Sequence, residues 1–596
     1  MKKSMICLGV CASLWLSGCS LDGDDGADGV NGADGVDGVP GAVGAPGPAG
    51  EDATTTLGFD LLARAVLSDD GAAEIIQYHA ATQTIYATNG ADDAISMIDI
   101  SGLTNPTALT LPSNDNSLTA TSLALPTTAN GIALGGLTSI AIHNNLMAVA
   151  IPGDAHADNG VIAFYENLEN STPTLLKSVT VGNLPDMVTF TPDGSKVLVA
   201  NEGEPSDDYT VDPEGSVAVI TVTNGVPADT ATIIDFTQFN SELDELSEQG
   251  VLFPNPRGRT INGVAINTTV AQDLEPEYIT ASDTVAYVSL QENNALARVD
   301  LTDNSVSIIA LGLKDWSDYM IDTHEDGSVS FNQYEGLFGA YMPDSIAHFT
   351  WQGRPFVVTA NEGDAREYFF DVADEAACTA AGGQDYDEDD GCLAYTDEFK
   401  IEDLDSAPGS LHEILSADNT VSDLRVTSAA GDADGDGEYE TAVAYGARSF
   451  TIWDQNGLVV YDSGDDFERI TAALYAEQFN NTDDENASDD RSENKGPEPE
   501  ALTVATIDER TYAFIGLERT GGVMIYDVTN PFNVSFVEYI NNRDFTEGLE
   551  NEDGIGDLAP ESLVVVQAAD SPTGKALLLV GNEVSGSVSV WSITPR

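Results

Sequence analysis

Positive charge is scarce in this chain. Across 596 residues, 22 Lys and Arg stand against 100 Asp and Glu, a formal net charge of −78. Nothing here could neutralise a phosphate backbone, so nucleic acid is excluded as a partner. Cysteine is rarer still, with five in all and no CxxC pair or Cys/His cluster, which leaves a structural zinc without a ligand set. Six scattered histidines (79, 143, 156, 324, 348, 412) give a His-based triad little support, and Walker, HExxH and GxSxG motifs are missing. After the first 20 residues no run of 18 apolar residues occurs, so no membrane-spanning helix is expected. What is present suffices for a core: 42% hydrophobic residues excludes global disorder. So acidic a surface also suits high salt, where screening shortens the reach of self-repulsion.

The chain opens with Lys2 and Lys3, an apolar stretch from Met5 to Leu16, and Leu16-Ser17-Gly18-Cys19. A basic start, a short apolar run and small residues before a cut site form a secretory signal, too short to span a bilayer. The tetrad resembles the bacterial lipobox, which implies a signal peptide over 1–18 and acylation of Cys19; a plain signal with an incidental Cys is the alternative. Ser20 in place of Asp implies an outer-membrane lipoprotein, facing the periplasm or exposed at the surface. Cys7 and Cys11 leave with the signal, so Cys378 and Cys392 remain for one disulfide in an oxidising compartment. From Gly23 through Gly50 glycine takes every third position, the collagen pattern, because only Gly fits the axis of a triple helix. Proline is sparse there (40, 46, 48) and Asp24, Asp25, Asp28, Asp34 and Asp37 would crowd like charges. Residues 19–53 are therefore a spacer, either a homotrimeric stalk or a flexible tether.

Residues 54–596 repeat three elements. An acid opens a strand, usually after Pro: Pro185-Asp186, Pro276-Glu277, Pro343-Asp344, Pro499-Glu500 and Pro560-Glu561, with weaker copies at Ala73-Glu74 and Leu137-Thr138. A β-branched run then closes on a polar cluster, in five cases holding Glu202, Glu292, Glu362, Glu518 or Glu583. A period-2 strand follows: Ala94–Ile100, Val161–Glu166, Ser216–Val222, Ala295–Leu301, Ser449–Asp454, Gly522–Val528 and Ser587–Ile593. Seven sets of short alternating strands predict an all-β, seven-bladed β-propeller. A β-helix or paired sandwiches would also repeat. The last third strand ends near the C-terminus, so residues 57–67 are expected to supply the missing outer strand and close the ring.

In that topology the start of each first strand and the end of each second strand share one face. Glu74, Asp186, Glu277, Asp344, Glu500 and Glu561 would meet Glu202, Glu292, Glu362, Glu518 and Glu583 around one mouth. So many carboxylates cannot all ionise together unneutralised; they bind cations or hold protons. Oxygen ligands with almost no His favour calcium, several ions of it, with another divalent metal or iron left open. Capping of turns is the plainer role for any single acid. Asp432-Ala-Asp434-Gly-Asp436, followed by Glu440, is a DxDxDG loop that reads as a short calcium loop or an acidic turn. It lies in an insertion, 365–440, that also holds Cys378, Cys392 and an acid run of Asp385, Asp387, Glu388, Asp389 and Asp390, and reads as a lid or partner-binding surface.

Several longer motifs occur in order: Ala271-Gln-Asp-Leu-Glu-Pro-Glu-Tyr278, Leu290-Gln-Glu-Asn-Asn-Ala295, Thr359-Ala-Asn-Glu-Gly-Asp-Ala-Arg-Glu-Tyr368, Gly446-Ala-Arg-Ser-Phe450, Asn494-Lys-Gly-Pro-Glu-Pro-Glu500 and Phe514-Ile-Gly-Leu-Glu-Arg519. They resemble the choice-of-anchor I domain, over nearly all of residues 60–593. That group takes in atypical bacterial alkaline phosphatases and mesenchyme-specific cell-surface glycoproteins of echinoderm skeletons. The resemblance implies a surface protein with a variable anchor and, through the first group, a phosphatase; the Asp-Ser-Ala nucleophile motif of ordinary alkaline phosphatases is missing here.

In so acidic a chain, bases inside the motifs stand out. Arg366 follows Glu362 and Asp364, Lys495 precedes Glu498 and Glu500, and Arg519 follows Glu518. The leading reading is phosphoester hydrolysis: calcium on the mouth carboxylates, Asp364 among them, activates a water while Arg366, Lys495 and Arg519 hold the phosphate. The plainer role for each base is pairing with neighbouring acids. The rival reading is a non-catalytic, calcium-dependent protein of adhesion, matrix or biomineral contact; a lactonase-type hydrolase is a third.

Overall fold

The computed structural model describes residues 56–596 apart from 69–70, 171, 388–389, 484–485, 547, 550 and 552–553. The signal, Cys19, the Gly-X-Y segment, Glu388 and Asp389 lie outside the described residues. Seven antiparallel sheets follow one another along the chain. The first four have inner-to-outer strands beginning at Ala72–His79, Ser139–His143, Pro185–Phe190 and Ile279–Ala281. The last three begin at Ile346–Trp351, Pro499–Ile507 and Pro560–Val566. These first strands pack side by side in sequence order, and the seventh returns to the first, which closes a ring.

Packing explains why the second strands read as unbroken apolar runs. Each is covered on both faces by neighbouring sheets, so Leu146–Ile151 and Ala576–Asn582 are buried at every position. Each junction has its own core. Tyr287, Leu296, Ile346 and Trp453 join the fourth and fifth sheets, for example, and Leu62, Ile76, Ile85 and Leu579 join the seventh to the first. The strand Leu57–Val66 pairs antiparallel with Ser587–Pro595, so the first and last described strands lie together in the seventh sheet, as the sequence predicts. A register shift between Leu61 and Ala63 lets Leu57–Val66 serve two junctions: Leu57 and Leu61 face the sixth sheet, Leu62 and Ala65 the first.

The insertion in the fifth sheet is built differently from a loose lid. Glu367–Phe370, Asp385–Asp387 and Gly391–Thr396 form a small sheet, with Cys378 and Cys392 disulfide-bonded beside it. Glu398–Lys400, Arg425–Thr427 and Ala442–Ala444 join Leu313–Asp315 and Leu337–Ala340 in a five-stranded sheet. The segment between the fourth and fifth sheets is thus woven into the insertion around its own core of Trp316, Leu337, Leu415 and Val426. Among the described residues no helix is long and apolar enough to cross a membrane.

Trp591, 3% exposed, spans the junction between the closing sheet and its neighbour. Trp591→Ala is expected to cost about 3–5 kcal/mol in urea unfolding, as large aromatic truncations in dry cores do.

Candidate functional site

A repeated backbone elbow sets the mouth. The residue before the strand-opening proline is left-handed at Leu184, Met342, Glu498 and Ala559, with φ of 40°, 41°, 52° and 53°; Ala73, at 65°, does the same before Glu74. Non-glycine residues avoid this region, so its recurrence is a designed bend. The bend ties a blade's two acid positions together. The carbonyls of Leu184, Glu498 and Ala559 accept from the backbone N–H of Glu202, Glu518 and Glu583 at 2.8–2.9 Å, and Met342 accepts from Gly363 at 3.1 Å. The Asn before the Glu staples the second strand to the third: Asn201 to Ser216, Asn361 to Ser449 and Thr451, Asn582 to Ser587.

These elements converge on a cavity of about 290 Å³. From the first strands it receives Glu74, Asp186, Glu277, Asp344, Glu500 and Glu561, and from the second-strand ends Glu202 and Glu292. Glu362 and Glu518 stand at its side, where Asp344, Glu362 and Glu500, and again Glu362, Glu498 and Glu518, each bring one oxygen within 4.8 Å of the others. Glu583 is close enough to raise both Glu74 and Glu561 electrostatically. Glu204, Asp364 and Glu367 complete the wall. Glu204 and Glu367 went unread in the sequence, although Asn201-Glu-Gly-Glu204 parallels Asn361-Glu-Gly-Asp364 and so signals Glu204. Lower in the channel the lining turns apolar, with Ile140, Val188, Ile346 and Leu563; Tyr278 lines both parts.

Crowding in a dry place penalises the ionised forms. Burial, then the neighbouring acids, pushes Glu74 up to about 8. Burial takes Asp186 to about 6 and, with Glu292 adding, Glu204 to about 7. Glu518 goes to about 8, mainly by burial, despite Arg519 beside it. Glu202, Glu277, Asp344, Glu500 and Glu561 are held well above the usual carboxylate range, first by burial and then by neighbouring acids, with a hydrogen bond to Glu500 opposing the rise at Glu561. Oxygens of Glu277, Glu292, Asp344 and Glu500 are buried without a hydrogen-bond partner. Such atoms are costly unless a proton or a cation meets them.

The bases expected to hold a phosphate are engaged with acids instead. Arg366 is 1% exposed; its guanidinium pairs with Glu275, donates to the Asp273 carbonyl at 3.0 Å and lies 3.8 Å from Glu292. It holds the wall from behind and has no surface left for a substrate, a correction to its expected role. Lys495 Nζ is 2.7 Å from Glu362 and 3.2 Å from Glu498, and Arg519 pairs with Glu498, Glu518 and Asp483. Surrounded by Lys495, Arg491 and Arg519, Glu498 is the exception among the mouth acids, lowered to about 2 against the opposing effect of its burial. Arg448, left-handed and 2% exposed, donates to the carbonyls of Ser492 and Asn494 and so fixes the strap that carries Lys495.

In the DxDxDG loop Asp432, Asp434 and Asp436 also bring oxygens within 4.8 Å. Asp432 accepts from the N–H groups of Gly435 and Gly437 at 2.7 and 2.8 Å, and Glu440 from Ala433 at 2.7 Å. Those bonds build the turn themselves.

A sign follows for pH. An acid whose folded value lies above its unfolded one stabilises the fold at low pH and loses that contribution as pH rises through the folded value. In EDTA the melting temperature is therefore expected to fall between about pH 5.5 and 8.5, the window of Asp186, Glu204, Glu74 and Glu518, by differential scanning calorimetry. A flat profile would mean that these acids are not crowded as described.

Comparison with known proteins places this geometry. Gigasin-3a of Magallana gigas is 31% identical over 169 residues, 26% of this chain and 60% of that protein. A mesenchyme-specific cell surface glycoprotein of Strongylocentrotus purpuratus is 27% identical over 283 residues, 44% of this chain and 35% of that one. The chain thus spans less than two thirds of the length of either relative. Among solved structures, the hydrazine synthase of Kuenenia stuttgartiensis aligns over 89% of this chain and 98% of its own, with 12% identity and a TM-score of 0.39. The WD40 β-propeller domain of Doa1 covers 90% and 97%, at 8% identity and a TM-score of 0.39. The choice-of-anchor I domain model matches residues 74–531, most of the ring and the whole of the insertion, and the chain belongs to that family.

Proposed function

We propose that this is a cell-surface domain whose mouth holds divalent cations of the calcium class. The carrying observation is the set of buried oxygens on Glu277, Asp344 and Glu500 that have neither a hydrogen bond nor a basic partner, at a cavity with no Lys or Arg in its lining. Hard cations take several oxygen ligands in flexible geometry, which a ring of carboxylates supplies. The family's surface association and the cell-surface relative support the location. Membrane attachment through acylated Cys19 belongs to this reading. Cys19→Ser is expected to shift the chain from the membrane to the soluble fraction on cell fractionation; retention would count against the anchor.

Phosphoester hydrolysis is the second reading, favoured by room at the mouth: about 290 Å³ admits a small phosphoester beside a bound ion. Charge opposes it. Acids dominate the lining and the nearby bases are committed to them, so an anion approaches only where ions overcompensate. Adhesion or mineral contact needs no such reversal where the partner is neutral or itself presents cations.

Calorimetric titration with calcium decides the first step. Asp344→Asn and Glu500→Gln are each expected to weaken binding about tenfold or more, roughly 1.4 kcal/mol, with the fold intact by circular dichroism. Unchanged affinity in both would remove the mouth as the site. The same preparations, given a chromogenic phosphomonoester with calcium and then with EDTA, separate the readings: calcium-dependent turnover lost in Glu500→Gln supports hydrolysis, and binding without turnover leaves the surface-binding role.

A further inference from the structure

The two carboxylate groups at the mouth share Glu362 but are balanced differently. Around Glu362, Glu498 and Glu518, cations are already in place. Lys495 Nζ lies 2.7 Å from Glu362 Oε1, 3.2 Å from Glu498 Oε2 and 3.4 Å from Asp364 Oδ1. Arg491 reaches Glu498 at 2.8 Å, and Arg519 reaches Glu498 at 3.1 Å and Glu518 at 3.3 Å. Around Asp344, Glu362 and Glu500 the situation is reversed. Among the described residues no Lys or Arg forms an ion pair with Asp344 or Glu500. Asp344 is 7% exposed and its Oδ2 has no hydrogen-bond partner, as is true of Glu500 Oε2.

We propose that Lys495 is a built-in counter-ion that fills the second seat, so that the mouth takes a divalent ion at Asp344, Glu362 and Glu500 and is denied another at Glu362, Glu498 and Glu518. This rests on the reading of the mouth as a cation site. An ammonium within salt-bridge distance of Glu362 and Glu498, two of the three carboxylates of that seat, and of Asp364 beside them stands where a hard cation would collect oxygens, while Arg519 takes the third, Glu518. Two divalent ions bridged by one Glu362 would repel four times as strongly as two unit charges, and a fixed monovalent charge in the second seat halves that. The ammonium is held by more than its partners. Arg448 grips the strap on both sides of Glu493, and a side chain at Gly496, whose φ is +69°, would come within 3.0 Å of the Arg448 guanidinium. On its other oxygen Glu362 accepts from Gln291 Nε2 at 2.9 Å, which leaves this carboxylate oriented by both neighbours.

The test is calcium stoichiometry by equilibrium dialysis on the full-length protein. Lys495→Met is expected to bind one more calcium per chain than the natural protein, and Lys495→Arg the same number. Lys495→Gln serves as a second neutral variant should Lys495→Met not fold by circular dichroism. A neutral variant that folds and binds no additional ion overturns the counter-ion assignment. The double variant Asp344→Asn/Glu500→Gln tells that failure from a failure of the site: if it binds as many ions as the natural protein, the mouth is not the site and both readings fall. If it binds one fewer while the neutral variants gain none, the counter-ion assignment alone is lost.

Discussion

Like charge forced together in a dry place is the constraint that organises this molecule. Seven sheets bring their channel-side ends to one mouth, and six of those ends open with an acid. Burial makes the repulsion stronger than it would be at the surface. The chain meets it in three ways. Raised affinity for protons covers Glu74, Asp186 and Glu204. Internal bases cover Glu362, Glu498 and Glu518. Oxygens of Asp344 and Glu500 are left for something else.

Scarcity of positive charge gives the few bases a clear division of labour. Arg366 secures the wall against Glu275 and Asp273, Arg448 secures the strap, and Lys495 with Arg519 stands among the mouth acids. Arg366 and Arg448 are buried, and the partly exposed Lys495 and Arg519 are paired with acids.

The ring was legible because its signal is repetitive and local: period-2 strands, Pro-acid openings and Asn-Glu closings recur in order, and closure by residues 57–67, observed as Leu57–Val66, followed from a missing outer strand. The acids of the mouth were legible for the same reason, since topology alone brings strand starts and strand ends to one face. What stayed hidden depends on contacts distant in sequence. That Arg366 lies behind the wall is set by Asp273, Glu275 and Glu292, and no spacing announces it. Likewise, the parallel pairing of Leu337–Ala340 with Ala442–Ala444 joins segments a hundred residues apart, so the insertion read as an isolated excursion when it shares a sheet with the connection before it. The elbows escaped because a residue before proline is ordinarily extended.

The closing strand has a mechanical consequence. Leu57 pairs with Pro595 and Val66 with Ser587, so Leu57 lies at the end of the sheet remote from the mouth. A pull applied at Leu57 along the strand direction loads the rungs between these two strands together, across their length, instead of peeling them one at a time. Their hydrogen bonds run perpendicular to such a pull. A domain that holds a partner at one face and is drawn on from the other would resist by shear, the geometry in which paired strands are hardest to separate.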